Sequence, residues 1–350
     1  MTKLLTAGFF LALLPWGAVA DEHLYPKNPI SMKEIVVEEK SFPEENLWIY
    51  TKGTGVREKG SIEIKLENIS RIGKNDGTYR FHDFRPEIEY GITDRLTFGG
   101  ELMFFSHDYE DINKWDPISE TGTFDGVSFA GFELFTKYEL LRPQDHWMGV
   151  ALGLGYEERY YYRLDHARIQ QEAWVPTIFL QKGFMDNRLQ WAFKGKMELE
   201  RREPREEDRT TEEEGNILEE EISFDLASGL SFEAKEGLWL GWETRWQGDF
   251  LTPFDRATGT ELLHSETSPG RASSWDWNDW QLGDGFQYGL YTGPTVHYDP
   301  SNADWWFTGG LLMQIKGWGA AGDNSQVEDG RNWDEHERFH LGILVGYEFE

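Results

Sequence analysis

The run Arg338-Phe339-His340-Leu341-Gly342-Ile343-Leu344-Val345-Gly346-Tyr347-Glu348-Phe349, followed only by Glu350, decides the fold class. Its odd positions Phe339, Leu341, Ile343, Val345, Tyr347 and Phe349 are all apolar. Its even positions carry Arg338, His340, Gly342, Leu344, Gly346 and Glu348. A strand sends alternate side chains to opposite faces, so period two builds one apolar face and one face that is mostly polar or small. A helix would need apolar residues three and four apart, and the run does not provide them.

Working back toward the start, eleven more segments repeat this alternation. The first sets Ile62, Ile64 and Leu66 against Glu63, Lys65 and Glu67, and the second sets Phe84, Ile88 and Tyr90 against Asp83, Arg85, Glu87 and Glu89. Further on, the polar phase carries Glu101, then Glu133, Lys137 and Glu139, then Lys194, Lys196 and Glu198. Asp225 and Glu233, Glu243 and Arg245, and finally Lys316 complete it. A fifth segment, 148–156, alternates apolar residues with glycine and alanine. The sixth, 174–184, is the least regular, because Val175 and Phe179 occupy its polar phase. Connections alternate short and long: Thr93-Asp94 and Met185-Asp186-Asn187 are tight, whereas 106–126, 201–215 and 249–284 are extended. This is the asymmetry of a membrane barrel, and a charge on its lipid side is costly, so the ionic phase is expected to line the lumen. The expectation is an all-β transmembrane antiparallel up-and-down β-barrel of about 12 strands over residues 56–350, with an even count placing both termini on the periplasmic side.

Composition agrees with that class. Residues 1–20 combine Lys3, a short apolar run and Ala18-Val19-Ala20, which reads as a secretory signal peptide. Residues 21–55 form a polar periplasmic lead-in; within it, 47–55 could be a short extra strand or a segment that enters the lumen. The mean hydropathy of -0.61 looks soluble, but a barrel strand spans a bilayer with only about 9 to 11 residues, every second one apolar. Cysteine is absent, so an exported chain must be held by something other than disulfides. The 16 Trp suit interfacial girdles. A net charge of -29 argues against nucleic acid as a partner, because phosphate binding needs clustered cations.

No motif points firmly to chemistry. His336-Glu337-Arg338-Phe339-His340 matches the zinc-protease pattern, but that chemistry needs a helix to bring both imidazoles to one metal. In a strand the two rings would lie about 13 Å apart, so these are read as polar residues at a loop-to-strand junction. Acidic groups in the long loops (Asp108, Glu110, Asp111 and Asp116; Glu212, Glu213, Glu214, Glu219, Glu220 and Glu221) lack calcium-loop spacing and are read as solvated charge. There is no Gly-x-Ser-x-Gly elbow. His82, beside Asp83, and His297 are the histidines worth inspecting, with structural hydrogen bonding the expected role of each. No catalytic residue, metal or cofactor is assigned, and the chain is expected not to be an enzyme.

An aromatic one residue from the end, after alternating apolar positions, resembles the closing strand of Gram-negative outer-membrane barrels. The lead-in Lys59-Gly60 and the turn Tyr90-Gly91-Ile92-Thr93-Asp94-Arg95-Leu96 are similar to those of uncharacterised proteobacterial outer-membrane barrels. These include barrels grouped as phenol-degradation (MetA-pathway) outer-membrane transport proteins. The resemblance implies an outer-membrane location, lipid contact, insertion by the barrel-assembly machinery through the last strand, and transport. The function expected is a porin-like channel for small polar or cationic solutes. The alternative is a non-transporting surface-binding scaffold, or a hydrolase on the barrel rim.

Overall fold

A computed structural model describes residues 45–112, 124–164, 166, 168–204, 217–255, 260–261, 285–301, 303–320, 329–333 and 336–349. The expected signal peptide, the start of the lead-in and the Trp-rich loop at 275–280 lie outside these residues. So do Asp116 and Glu212 to Glu214.

Thirteen strands are described: β1 (Ile62–Ile72), β2 (Thr78–Thr93), β3 (Leu96–Glu110), β4 (Phe124–Leu141), β5 (Gly149–Tyr161), β6 (Arg168–Phe184) and β7 (Leu189–Pro204), then β8 (Ile217–Lys235), β9 (Leu238–Asp255), β10 (Thr260–Glu261), β11 (Gly285–Tyr298), β12 (Trp305–Ala320) and β13 (Phe339–Phe349). β10 is a two-residue extension paired to the end of β9. The other twelve pair antiparallel with their chain neighbours. The ring closes where β1 meets β13, in continuous register from Ile62 opposite Phe349 to Ile72 opposite Phe339. The protein is a closed twelve-stranded all-β barrel. Closure leaves no sheet edge unpaired, which lets the fold hold without disulfides.

The period-two pattern determines what each face meets. On β13, Phe339, Leu341, Ile343, Val345, Tyr347 and Phe349 point outward and are each about two-fifths exposed, whereas His340 and Leu344 are buried inside. The same exposed apolar row continues through Ile88, Leu102, Leu154, Leu240 and Trp242. Several strands run further than the sequence pattern suggested. β3 and β4 extend into the expected loop 106–126, and β5 continues to Tyr161. A bulge in β4 explains the interruption: Phe129 pairs with Phe104 and Gly131 with Met103, so Ala130 stands out of the ladder and the alternation changes phase there. In β6, Val175 is buried and Phe179 faces the lumen, so the irregular strand keeps its phase with apolar inner residues.

Candidate functional site

Residues 45–59 precede β1 and are not strand; 45–57 lie inside the barrel at the end with the short turns, and Glu58 and Lys59 are exposed at its rim. Leu47, Trp48 and Ile49 are almost fully buried. Two glycines on the inner phase make room for them. A Cβ at Gly342 would come within 2.7 Å of Ile49, and one at Gly229 would clash with the Trp48 indole. Tyr50 lies under the Arg245 guanidinium, 3.9 Å from its carbon to the ring centre.

The segment is held across the lumen by polar contacts to opposite walls. On the β9 side, the Glu243 carboxylate accepts backbone N–H bonds from Ile49 (3.2 Å), Tyr50 (3.0 Å) and Thr51. On the β6 side, Thr54 N–H donates to Gln181 Oε1 at 2.8 Å. Lys137 of β4 donates to the Gly53 carbonyl at 2.7 Å and pairs with Glu45. The chain then leaves toward β1, with Arg57 paired to Glu348 and close to Glu63 (3.6 Å) and Glu89 (3.7 Å). Burial pushes the Glu45 carboxyl up, but Lys137, with help from Lys65 and Arg57, pulls it further down, so it sits below the usual carboxylate range.

Above this plug, toward the long loops, is a cavity of about 300 Å³. It has room for on the order of ten waters. Its floor includes Glu45, Tyr50 and Lys52, and its upper wall includes Arg163, Leu164, His336 and Glu337. Eleven Lys and Arg and thirteen Asp and Glu line it, so the lumen is nearly balanced in a chain whose net charge is -29. Most of the excess acid therefore lies elsewhere.

The inner charges are arranged in cross-strand networks. Lys65 lies 2.6 Å from Glu89, 2.8 Å from Glu87 and 3.5 Å from both Glu63 and Glu45. Arg85 grips Asp83 with two bonds of 2.8 and 2.9 Å and also pairs with Glu101. Arg245 takes Asp225 in the same two-pronged manner, at 2.9 and 3.0 Å. Lys196 lies 2.6 Å from Glu198. Fork-to-carboxylate pairs of this kind are strong and directional, and buried charge is tolerable only when so compensated. Glu45, Glu63 and Glu89 bring carboxylate oxygens within 4.8 Å of one another. Lys65 and Arg57 are close to all three carboxylates or to two of them, and Lys137 meets Glu45, so that corner is an ion-pair cluster built without need of a metal.

Of the seventeen residues expected in the lumen, fourteen line the cavity: Lys65, Glu67, Asp83, Arg85, Glu87, Glu89, Glu101, Glu133, Lys137, Lys194, Lys196, Glu198, Asp225 and Arg245. Glu63 and Glu243 are fully buried beside the plug; Glu63 accepts the Trp306 indole N–H at 2.7 Å. Lys316 differs from expectation. It is exposed near the long loops and paired with Asp329 at 2.7 Å. β11 and β12 slip register between Gly289 and Tyr291, and Gly317 takes a left-handed φ of 80°, so the inner phase is lost before Lys316.

Neither inspected histidine belongs to a catalytic set. His82 takes the outward phase of β2, with Nδ1 2.7 Å from Ser70 Oγ. His297 is buried, with Nδ1 2.7 Å from Thr308 Oγ1. In His336-Glu337-x-x-His340, the second histidine already lies on β13. His340 stacks on Tyr291 at 4.0 Å, while His336 reaches Gln247 at 2.7 Å. Lys74 lies 3.1 Å from Glu337. Burial opposes ionisation of Glu337, but Lys74 and the His340 hydrogen bond hold its carboxyl well below the usual range.

Sequence reasoning missed Arg71, Arg159, Arg163 and Arg202 on the cavity wall, and it read Glu221 as solvated loop charge although that side chain is buried there and lies 3.1 Å from Arg202. Arg159 was within reach, because continuing the β5 alternation three residues past Tyr156 brings it to the inner phase. Arg163 sits in the loop after β5, beyond any period.

Fold comparison gives a crystal structure of the COG4313 outer membrane channel from Pseudomonas putida F1, at a TM-score of 0.52 and 12% identity, covering 85% of this chain and 98% of that one. The NanC porin matches at a TM-score of 0.40 and 9% identity, over 81% of this chain and 98% of that one. The beta domain of the Bordetella autotransporter BrkA matches at 0.45 and 12%, over 84% and 100%. No curated protein matches in sequence. The profile of the family of unknown function DUF6662 matches residues 40–349, and the chain belongs to that family.

Proposed function

We propose that the protein is an outer-membrane channel for small polar solutes, narrowed by its own residues 45–59. The observation that carries this is the charge-balanced cavity on the long-loop side of that segment, enclosed by a wall whose outer face is apolar. A barrel filled for strength alone would pack its interior; this one keeps space for a solute and lines it with paired charges. The outward rows are suited to lipid. Export through residues 1–20, and insertion by the barrel-assembly machinery through the strand ending in Phe349, belong to the same reading.

The near balance of eleven cations against thirteen acids argues for small zwitterionic or weakly charged solutes rather than strongly selected cations. Purified protein in planar bilayers is expected to show small single-channel steps with a potassium-to-chloride permeability ratio within a few-fold of one. Deleting residues 45–55 is expected to raise the step size several-fold. Silence from both the intact and the deleted barrel would remove the channel reading.

A further inference from the structure

Ser128, His166 and His107 meet at the long-loop end of the barrel, outside the cavity wall just described. His107 is on β3, Ser128 on β4, and His166 in the loop after β5. Ser128 takes the inward phase between Val127 and Phe129, both of which are exposed outside. Its Oγ is 3.0 Å from His166 Nε2. The Nδ1 of His166 is 3.0 Å from Nδ1 of His107, whose Nε2 is 2.8 Å from the Arg163 carbonyl oxygen.

These contacts fix the protons. A carbonyl oxygen can only accept, so His107 carries its proton on Nε2 and leaves Nδ1 bare. That bare nitrogen must accept from His166 Nδ1–H, which leaves His166 Nε2 bare and facing the Ser128 hydroxyl. Every hydrogen bond then runs in one direction, from the serine to the Arg163 carbonyl. The atoms in use match a nucleophile–base–orienter set, with Nε2 toward the hydroxyl and Nδ1 toward the group that fixes the ring.

We propose that Ser128 is a nucleophile activated by His166, with His107 as the positioning residue, and that the site hydrolyses carboxylic esters. Three further observations support it. His166 sits at a left-handed φ of 65°, a strained backbone for a residue with a Cβ, and Tyr161 stacked 4.5 Å from its ring holds it there. Burial lowers the His166 pKa to about 4, so the ring is neutral at ordinary pH. The β4 bulge at Ala130, two residues past Ser128, breaks the ladder beside the hydroxyl, as bulges near active sites do when they re-aim a side chain. Around the rings, Phe81, Phe105 and Tyr79 with Leu164 form a closed apolar cluster that holds both imidazoles in place.

In the acylation step, Ser128 Oγ bonds to the ester carbonyl carbon while its proton passes to His166 Nε2. The carbon–oxygen bond to the alcohol then breaks, and the alcohol leaves with that proton. Water, deprotonated by the same nitrogen, releases the acid and restores Ser128.

The test uses full-length protein folded in detergent, a fluorophosphonate probe, and p-nitrophenyl acetate and butyrate. The expected result is one labelled serine, mapped to Ser128 by mass spectrometry, with label and ester turnover abolished by Ser128→Ala. Turnover in His166→Gln is expected to fall at least 100-fold. His107→Asn keeps an acceptor for His166 Nδ1–H and is expected to retain more kcat than His107→Phe at similar KM. Heat-modifiable gel mobility confirms that each variant is a folded barrel. A folded wild-type barrel that takes no label at Ser128, or hydrolyses esters as fast as Ser128→Ala, overturns the assignment.

Discussion

Glu243 does more for the interior than its single charge suggests. One carboxylate satisfies three consecutive backbone N–H groups of a buried, non-strand segment that has no ladder of its own. Glu243→Ala strands those donors, and a buried donor without a partner costs about 1–3 kcal/mol. The variant is expected to unfold at lower urea and to show larger or noisier current steps than wild type. Glu243→Gln keeps one acceptor oxygen and is expected to fall between the two. Gly342 tests the same contact sterically, since a Cβ there meets Ile49 at 2.7 Å. Gly342→Val is expected to dislodge the segment and expose Lys52 to trypsin in folded barrels. None of this was legible residue by residue: Glu243 reads as one more acid in the inner phase, and nothing local marks its partner 192 to 194 positions away.

At the scale of elements, the plug is sensitive to pH. Its clamp joins Glu45 to Lys137 and Lys65, and the Glu45 carboxyl is held below its ordinary range. A depressed carboxyl contributes stability that is complete above its unfolded-state range and is lost as pH falls through the lowered value. Acidifying below the ordinary carboxyl range is therefore expected to loosen the segment and increase conductance reversibly, while Glu45→Gln shows the acid behaviour already at neutral pH. Segment 47–55 left two readings open in the sequence, an extra strand or a lumen-entering piece. Its four apolar residues in a row, Leu47-Trp48-Ile49-Tyr50, have no period, so only the inner-face glycines across the barrel decide where they lie. The strands were far more legible, because an outward apolar row repeats every second residue. Their ends were not: β3, β4 and β5 run on where lumen-facing aromatics, a bulge and further charges hide the alternation.

For the whole molecule, the argument depends on which way the two phases face. The rows at Ile343, Leu341 and Val345 are exposed on the outside, while the ionic phase is buried. Ile343→Arg is expected to destabilise the barrel in lipid vesicles by about 2–4 kcal/mol near the midplane, with the opposite-facing Gln314→Arg costing less than Ile343→Arg in the same urea titration. Strand number and phase followed from the sequence, because each depends only on local alternation. The balance of charge in the lumen did not, because total composition cannot separate charges lining the interior from those on loops and lead-in. The Ser128 site was also out of reach, since its three side chains come from β3, β4 and a loop and share no spacing.

The pairing of β1 with β13 sets an order of events. The piece that blocks the cylinder precedes its first stave, and the seam can be sealed only when the last stave arrives. Threading a bulky Trp48 and Tyr50 through a finished hoop would be difficult. Seating the cork before the first and last staves meet is therefore expected to be the easier order, with a chain that zips shut too early expected to be left uncorked.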